Sequence, residues 1–232
     1  MTSSSGYLKL FRMPRVSGRR WSGSLKAAAV ALLLLAVPSA TTASRAVPAQ
    51  PAGGAKVYML RGVLNIFSLG LDSIAARLQA QGIPVDVTNY LGWSAVADEA
   101  AADYRSGRVK TIILVGHSSG ATVLPDMVER LNQLGVPVKL VIGLDSVFRT
   151  SLNGRVGRYI NYYIGNGNGE PVARARGMQG ELDNVNVQNV PGVGHITIEK
   201  NEIMQRRVIG DIDAVAFGSR RREVSAAPGG VR

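Results

Sequence analysis

The sequence predicts an α/β fold: a doubly wound, mainly parallel sheet flanked by helices. Two observations carry this. Between residues 56 and 217, apolar, β-branched runs alternate with segments whose apolar residues recur at helical spacing. The two most strand-like runs, Val109–Val115 (VKTIILV) and Val138–Leu144 (VKLVIGL), are apolar without alternation. A strand buried on both faces reads this way, and parallel sheets covered by helices on both sides consist of such strands.

In chain order, Lys56–Leu60 is the first strand, followed by a turn at Arg61-Gly62-Val63. Leu69–Gln81 is a helix with Leu71, Ile74, Ala75 and Leu78 on one face and Gly82 as its stop. Val85–Tyr90 is the second strand and Val96–Arg105 the second helix. After the strand Val109–Val115, Ala121–Leu134 is a helix with Met127, Val128 and Leu131 inward. Pro125 falls in its first turns, where a missing N–H is tolerated, and Gly135 stops it. Val138–Leu144 follows as a central strand, then the more polar strands Arg158–Ile164 and Asn184–Val190, and a closing helix Ile203–Phe217. Crossovers in such a sheet are right-handed, and ligands bind at the carboxyl ends of its strands.

The ends have a different composition. Residues 1–43 read as a signal peptide, with basic side chains up to Lys26 and then the apolar run Ala27–Val37. Eleven apolar residues (27–37) cover about 16 Å as a helix, short of a bilayer core of about 30 Å, and small residues from Pro38 to Ala43 suit cleavage. An uncleaved anchor is the alternative, and either way the domain is exported. Residues 44–55 read as a small-residue linker, 56–217 as the folded domain, and 218–232 as a disordered basic tail.

The formal charge of +11 invites a nucleic-acid partner, but its distribution does not. Seven basic residues and no acidic one lie in 1–45, and residues 220–232 hold four basic and one acidic, leaving 16 basic against 15 acidic between. A phosphate-tracking body needs clustered charge, so no nucleic-acid partner is predicted. With no cysteine, disulfides, thiolate catalysis and Cys-ligated metals are excluded. Two histidines far apart form no metal cluster, and no cofactor is predicted.

Gly116-His117-Ser118-Ser119-Gly120 matches G-x-S-x-G and stands between the strand Val109–Val115 and a helix. A nucleophile elbow needs this placement. The turn is too sharp for side chains at its glycines, and the serine is pushed above the sheet beside a helix N-terminus that favours negative charge. A serine hydroxyl needs a base. His117 precedes the serine and points away from its hydroxyl, so His195, in the glycine-rich stretch Gly192-Val193-Gly194-His195, is the candidate. Asp145, at the end of the strand Val138–Leu144, is the favoured acid, with Glu170 and Asp183 as rivals. Tyr90 and Trp93, after a strand's carboxyl end, are candidates to line an acyl pocket. Gly165–Gly169 (GNGNG) reads as a loop and lacks a dinucleotide fingerprint.

The order Ser118, Asp145, His195 resembles the α/β-hydrolase superfamily over about Lys56–Phe217, through GHSSG, GLDSV at 143–147 and GVGH at 192–195. Gly143-Leu144-Asp145 is similar to the acid-bearing segment of pancreatic-type lipases. The chain is short for this family, without room for the first edge strands or a large lid. The resemblance implies an acyl-enzyme mechanism with an oxyanion hole formed by the backbone N–H groups of Ser119 and Val63. Arg61 stands where lipases carry a histidine, either solvated or facing a substrate anion. The expectation is a serine esterase acting on a small-molecule or lipid ester, with peripheral membrane contact through the N-terminal segment. A non-catalytic envelope protein of the same fold and an acyltransferase using the same triad are the alternatives.

Overall fold

In the computed structural model the described residues are 54–63, 68–167 and 169–218. The expectations for the leader, most of the linker and the tail beyond Gly218 lie outside them. Six strands form one sheet in the order β2-β1-β3-β4-β6-β8: β1 (Ala55–Arg61), β2 (Val85–Asn89), β3 (Thr111–His117), β4 (Val138–Leu144), β6 (Arg155–Tyr163) and β8 (Gln179–Asn186). Every neighbouring pair is parallel. Two short strands, β5 (Ser151–Leu152) and β7 (Ala173–Arg174), pair separately and were not legible as a pattern.

Alternate side chains of the central strands enter two different cores. Val57, Met59, Ile113 and Val115 face one side, covered by α1 (Gly70–Ala80) through Leu71, Ile74 and Leu78 and by α5 (Glu202–Ala216) through Met204, Val208 and Ile212. Tyr58, Leu60, Ile112 and Leu114 face the other. That side is covered by α2 (Trp93–Arg105) through Val96, Ala97, Ala100 and Ala101, and by α4 (Leu124–Gln133) through Leu124, Met127, Val128 and Leu131. This two-sided burial is why the strands read as unbroken apolar runs.

Several boundaries differ from the sequence reading: α2 and β6 each begin three residues earlier than expected, and three further differences have a local reason. β3 starts two residues later and runs on through Gly116 and His117, which still pair with Gly143 and Leu144. Val109 belongs to the preceding loop, where its N–H donates to the Asp103 carbonyl. The single helix expected over 121–134 is two, α3 (Ser119–Thr122) and α4. Pro125 has no N–H to give the Ala121 carbonyl, so the helix restarts with proline in its first turn. β8 lies about four residues before its expected place, since it is an edge strand with little apolar content. Val187, within the expected range, buries its side chain just after the strand.

The chain winds outward from β1 to β2, then crosses back past β1 to β3 and onward to β8. The switch point therefore lies between β1 and β3, and a cavity lined by Gly62 and Ser118 among others lies there at the carboxyl edge. Around it the backbones of β1, β3 and α3 approach closely. A Cβ on Gly120 would fall on the Leu60 carbonyl oxygen, and one on Gly116 would fall on the Gly120 carbonyl. We expect Gly120→Ala to be destabilised by about 3 kcal/mol or more, or not to fold, as read by urea unfolding.

Candidate active site

The candidate nucleophile stands where β3 ends and α3 begins. Ser118 has φ 58° and ψ −123°, a conformation that L residues avoid. The other non-glycine residue with positive φ among the described residues is Asp145, at φ 50°. Strain of about 1–3 kcal/mol per residue persists only where the surroundings enforce it, and such residues cluster at functional sites. Here the two strained residues are the sequence's candidate nucleophile and candidate acid.

A chain of hydrogen bonds joins them. His195 Nε2 lies 3.0 Å from Ser118 Oγ, and His195 Nδ1 lies 2.6 Å from Asp145 Oδ2. The second carboxylate oxygen of Asp145, Oδ1, accepts the Ile164 N–H at 2.9 Å. Asp145 is fully buried and Ser118 nearly so, while the His195 side chain is about a quarter exposed. An acceptor carboxylate on Nδ1 fixes the proton there, which leaves the Nε2 lone pair facing the serine hydroxyl. The rival acids are engaged elsewhere: Glu170 pairs with Arg149 and Asp183 with Arg158, each at 2.7 Å.

Gly169 closes the acid's other side, since a Cβ there would fall on Asp145 Oδ1. The GNGNG stretch, read from sequence only as a loop, thus supplies a backbone that can pass against the carboxylate. Its spacing carries no signal for this.

His117 does point away from Ser118 Oγ, and its surroundings show what it does instead. Its Nε2 lies 2.8 Å from the His195 carbonyl and its Nδ1 2.8 Å from Ser68 Oγ. A carbonyl can only accept, so Nε2 carries the proton and Ser68 Oγ–H donates to Nδ1. Ser68 Oγ in turn accepts the Gly62 N–H at 3.0 Å. One buried relay therefore ties the loop after β1 to the backbone of the histidine loop. Sequence reasoning missed Ser68, because nothing in its spacing ties it to position 117.

Burial pushes the His117 pKa down to about 4, and the imidazole stays neutral. A depressed histidine pKa contributes stability that is present above about pH 6.5 and is lost as pH falls towards 4. We therefore expect the stability gap between the wild type and His117→Asn to narrow by about 3 kcal/mol from pH 7 to pH 4, measured by urea unfolding. Beside His117 lies Glu199, fully buried, with Oε2 3.8 Å from His117 Nε2 and Oε1 3.4 Å from Lys200 Nζ. Neither oxygen has a hydrogen-bond partner of good geometry among the described residues. Burial raises its pKa, an effect opposite in sign that His117→Asn leaves in place in both proteins.

A cavity of about 150 Å³ adjoins the serine, lined by Gly62, Val63, Ser68, His117, Ser118, His195 and Ile196. Val63, one expected oxyanion donor, is therefore at the site. Ser119, the other, opens α3 directly after Ser118, where first-turn N–H groups have no intrahelical acceptor. Gly62 N–H is committed to Ser68 and is not a donor to the cavity. Arg61, partly exposed, pairs with Asp72 of α1. Tyr90 and Trp93 do not line this cavity; Trp93 packs against the α2–α4 side of the core. No cluster of metal-ligating side chains occurs among the described residues.

Strand order, strained elbow and the chain order of the three residues define a reduced, six-stranded α/β-hydrolase fold. No family model and no curated protein matches the sequence. Solved structures similar to the chain include the thioesterase domain SrfTE, which cyclises the lipopeptide antibiotic surfactin (11% identity over 68% of this chain and 89% of that one, TM-score 0.45). The type II thioesterase BorB from the borrelidin biosynthetic cluster is similar at 12% identity, over 72% of this chain and 92% of that one, with TM-score 0.45. An acetylxylan esterase is similar at 14% identity, over 71% of this chain and 99% of that one, with TM-score 0.42.

Proposed function

We propose that the protein is an exported serine hydrolase that cleaves carboxylic esters, and by the same chemistry thioesters, through an acyl-enzyme. The supporting observation is the unbroken hydrogen-bond chain Ser118–His195–Asp145 at a strained elbow. In this reading Ser118 Oγ attacks the acyl carbonyl as His195 Nε2 takes its proton, and Asp145 steadies the imidazolium. The Ser119 and Val63 N–H groups receive the oxyanion, a contribution of about 3–4 kcal/mol per donor in other enzymes. His195 then protonates the departing alkoxide or thiolate. Water, deprotonated by the same nitrogen, releases the acid and restores the serine.

The cavity suggests the acyl group. At about 150 Å³ it is well below the roughly 300 Å³ at which drug-sized ligand sites begin, so it suits an acyl group of a few carbons. The large, well-exposed apolar side chains Val63, Leu69, Leu91, Phe148 and Ile196 all follow carboxyl ends of strands, on the edge where this cavity opens. They offer an apolar rest for the leaving group. The substrate class is thus a short-chain acyl ester of a bulky, largely apolar alcohol or thiol.

Fluorophosphonate labelling of the wild type, lost in Ser118→Ala and His195→Ala, is the expected result. A p-nitrophenyl ester series should then favour acetyl to butyryl over dodecanoyl. A well-folded wild type that takes no label would leave a binding protein on a hydrolase fold.

A further inference from the structure

The amino edge of the sheet, opposite the candidate active site, holds a larger groove of about 460 Å³. Its floor is Ile112, Val138 and Val156, and its rim carries Lys110, Lys139 and Arg155. Arg174 joins them, its guanidinium donating to the Gly180 carbonyl of the groove wall at 3.1 Å. None of these four cations has a carboxylate within ion-pairing distance among the described residues. Asp86, Glu99 and Asp103 serve Lys56, Asp103 also serves Arg108, and Glu181 serves Arg158.

Both chain ends leave the fold on this side. The Gly54 carbonyl accepts from the N–H groups of Lys110 and Thr111, so the preceding chain enters at the lip of the groove. α5 begins just past the His195 loop at the carboxyl edge, and its 15 residues run about 22 Å back along the sheet, towards the amino edge. The sequence before Gly54 contains no acidic residue and seven basic ones, with the apolar run Ala27–Val37 between the basic stretch and the fold. The sequence after Gly218 contains Arg220, Arg221 and Arg222. Both end sequences are net basic, since Glu223 is the one acidic residue after Gly218.

We propose that the amino edge docks on an anionic lipid surface, with headgroup phosphates received among Lys110, Lys139, Arg155 and Arg174. The apolar floor of Ile112, Val138 and Val156 beneath these cations matches acyl chains beneath headgroup phosphates, and this assigns the partner to lipid rather than to another polyanion. The candidate active site then faces away from the bilayer, and its apolar rim is free to meet substrate arriving from the aqueous side. The attraction is electrostatic, so it weakens as salt rises through about 0.15 M.

The test uses the full chain with extruded vesicles of phosphatidylcholine alone or with about a third phosphatidylglycerol. The chain should prefer the anionic vesicles. The combined variant Lys110→Gln, Lys139→Gln, Arg155→Gln and Arg174→Gln should bind them about 600-fold more weakly, each cation near a membrane contributing roughly a fivefold factor. Affinity within about threefold of the wild type would overturn the proposal. The chain has no cysteine, so an environment-sensitive dye can be placed singly on Pro137→Cys at the amino edge or Leu91→Cys at the carboxyl edge. The dye at 137 should respond to anionic vesicles and the dye at 91 should not; the reverse pattern would overturn the orientation. Equal affinity for a DNA duplex would assign the surface to nucleic acid instead. None of these readouts depends on hydrolysis, so the docking and the proposed activity can fail separately.

Discussion

Ser118→Ala is expected to lower kcat on a short acyl ester by about 10⁶-fold while leaving the circular-dichroism spectrum unchanged. In the proposed mechanism alanine removes the atom that bonds to the acyl carbon. His195 Nε2 is 3.0 Å from Ser118 Oγ. Alanine can hold the backbone that serine holds, because both carry a Cβ at φ 58° and strain is conserved. The residual rate should still exceed that in water, by about 10³-fold, since the proposed oxyanion donors and the cavity remain. Single-turnover hydrolysis measures it, and a loss below about tenfold would remove Ser118 from the mechanism.

Asp145→Asn should cost about 10⁴-fold in kcat with KM little changed, and the geometry gives a local reason. Asp145 uses both oxygens, Oδ1 for the Ile164 N–H and Oδ2 for His195 Nδ1. An asparagine keeps its oxygen on Ile164, because turning the amide round would set an NH₂ against an N–H in a fully buried place. Its NH₂ then faces Nδ1 and forces the proton to Nε2, so the imidazole presents an N–H to Ser118 instead of a lone pair. The variant should stay folded and bind substrate normally. Steady-state kinetics on the same ester would separate this from a folding defect, which would show as a reduced active fraction with kcat per active site preserved.

Much of this site was legible because each part has its own local signature. The glycines of GHSSG mark a turn that no side chain can enter, and the unbroken apolar run before them marks the strand that delivers it. With two histidines in the chain and one of them beside the serine, His195 followed by elimination. Asp145 was distinguishable from Glu170 and Asp183 only by its place at a strand's carboxyl end, and the ion pairs that occupy the rivals are spatial facts with no trace in spacing. The illegible parts are those made by long-range approach. Ser68 meets His117 across 49 residues, and Gly169 meets Asp145 through a loop whose composition says only that it is a loop. Arg61 read as either solvated or facing a substrate anion because its partner, Asp72, lies on the next helix and the pairing needs the turn between them. β8 was misplaced because an edge strand carries little of the apolar content by which strands are recognised.

The uniform parallel pairing of the sheet has a consequence for how the site comes into being. No strand pair is joined by a tight hairpin, so every ladder must wait for an intervening helix or long crossover, and loop-closure entropy is met before any contact rewards it. The bonds of the site close over still longer stretches, 50 residues between Asp145 and His195 and 77 between Ser118 and His195. The site is therefore a late product of folding, assembled after the strands that carry its parts. A chain halted part-way would hold the proposed nucleophile on its strand yet lack the proposed base, and on this reading return of reactivity at Ser118 would report completion of the whole topology.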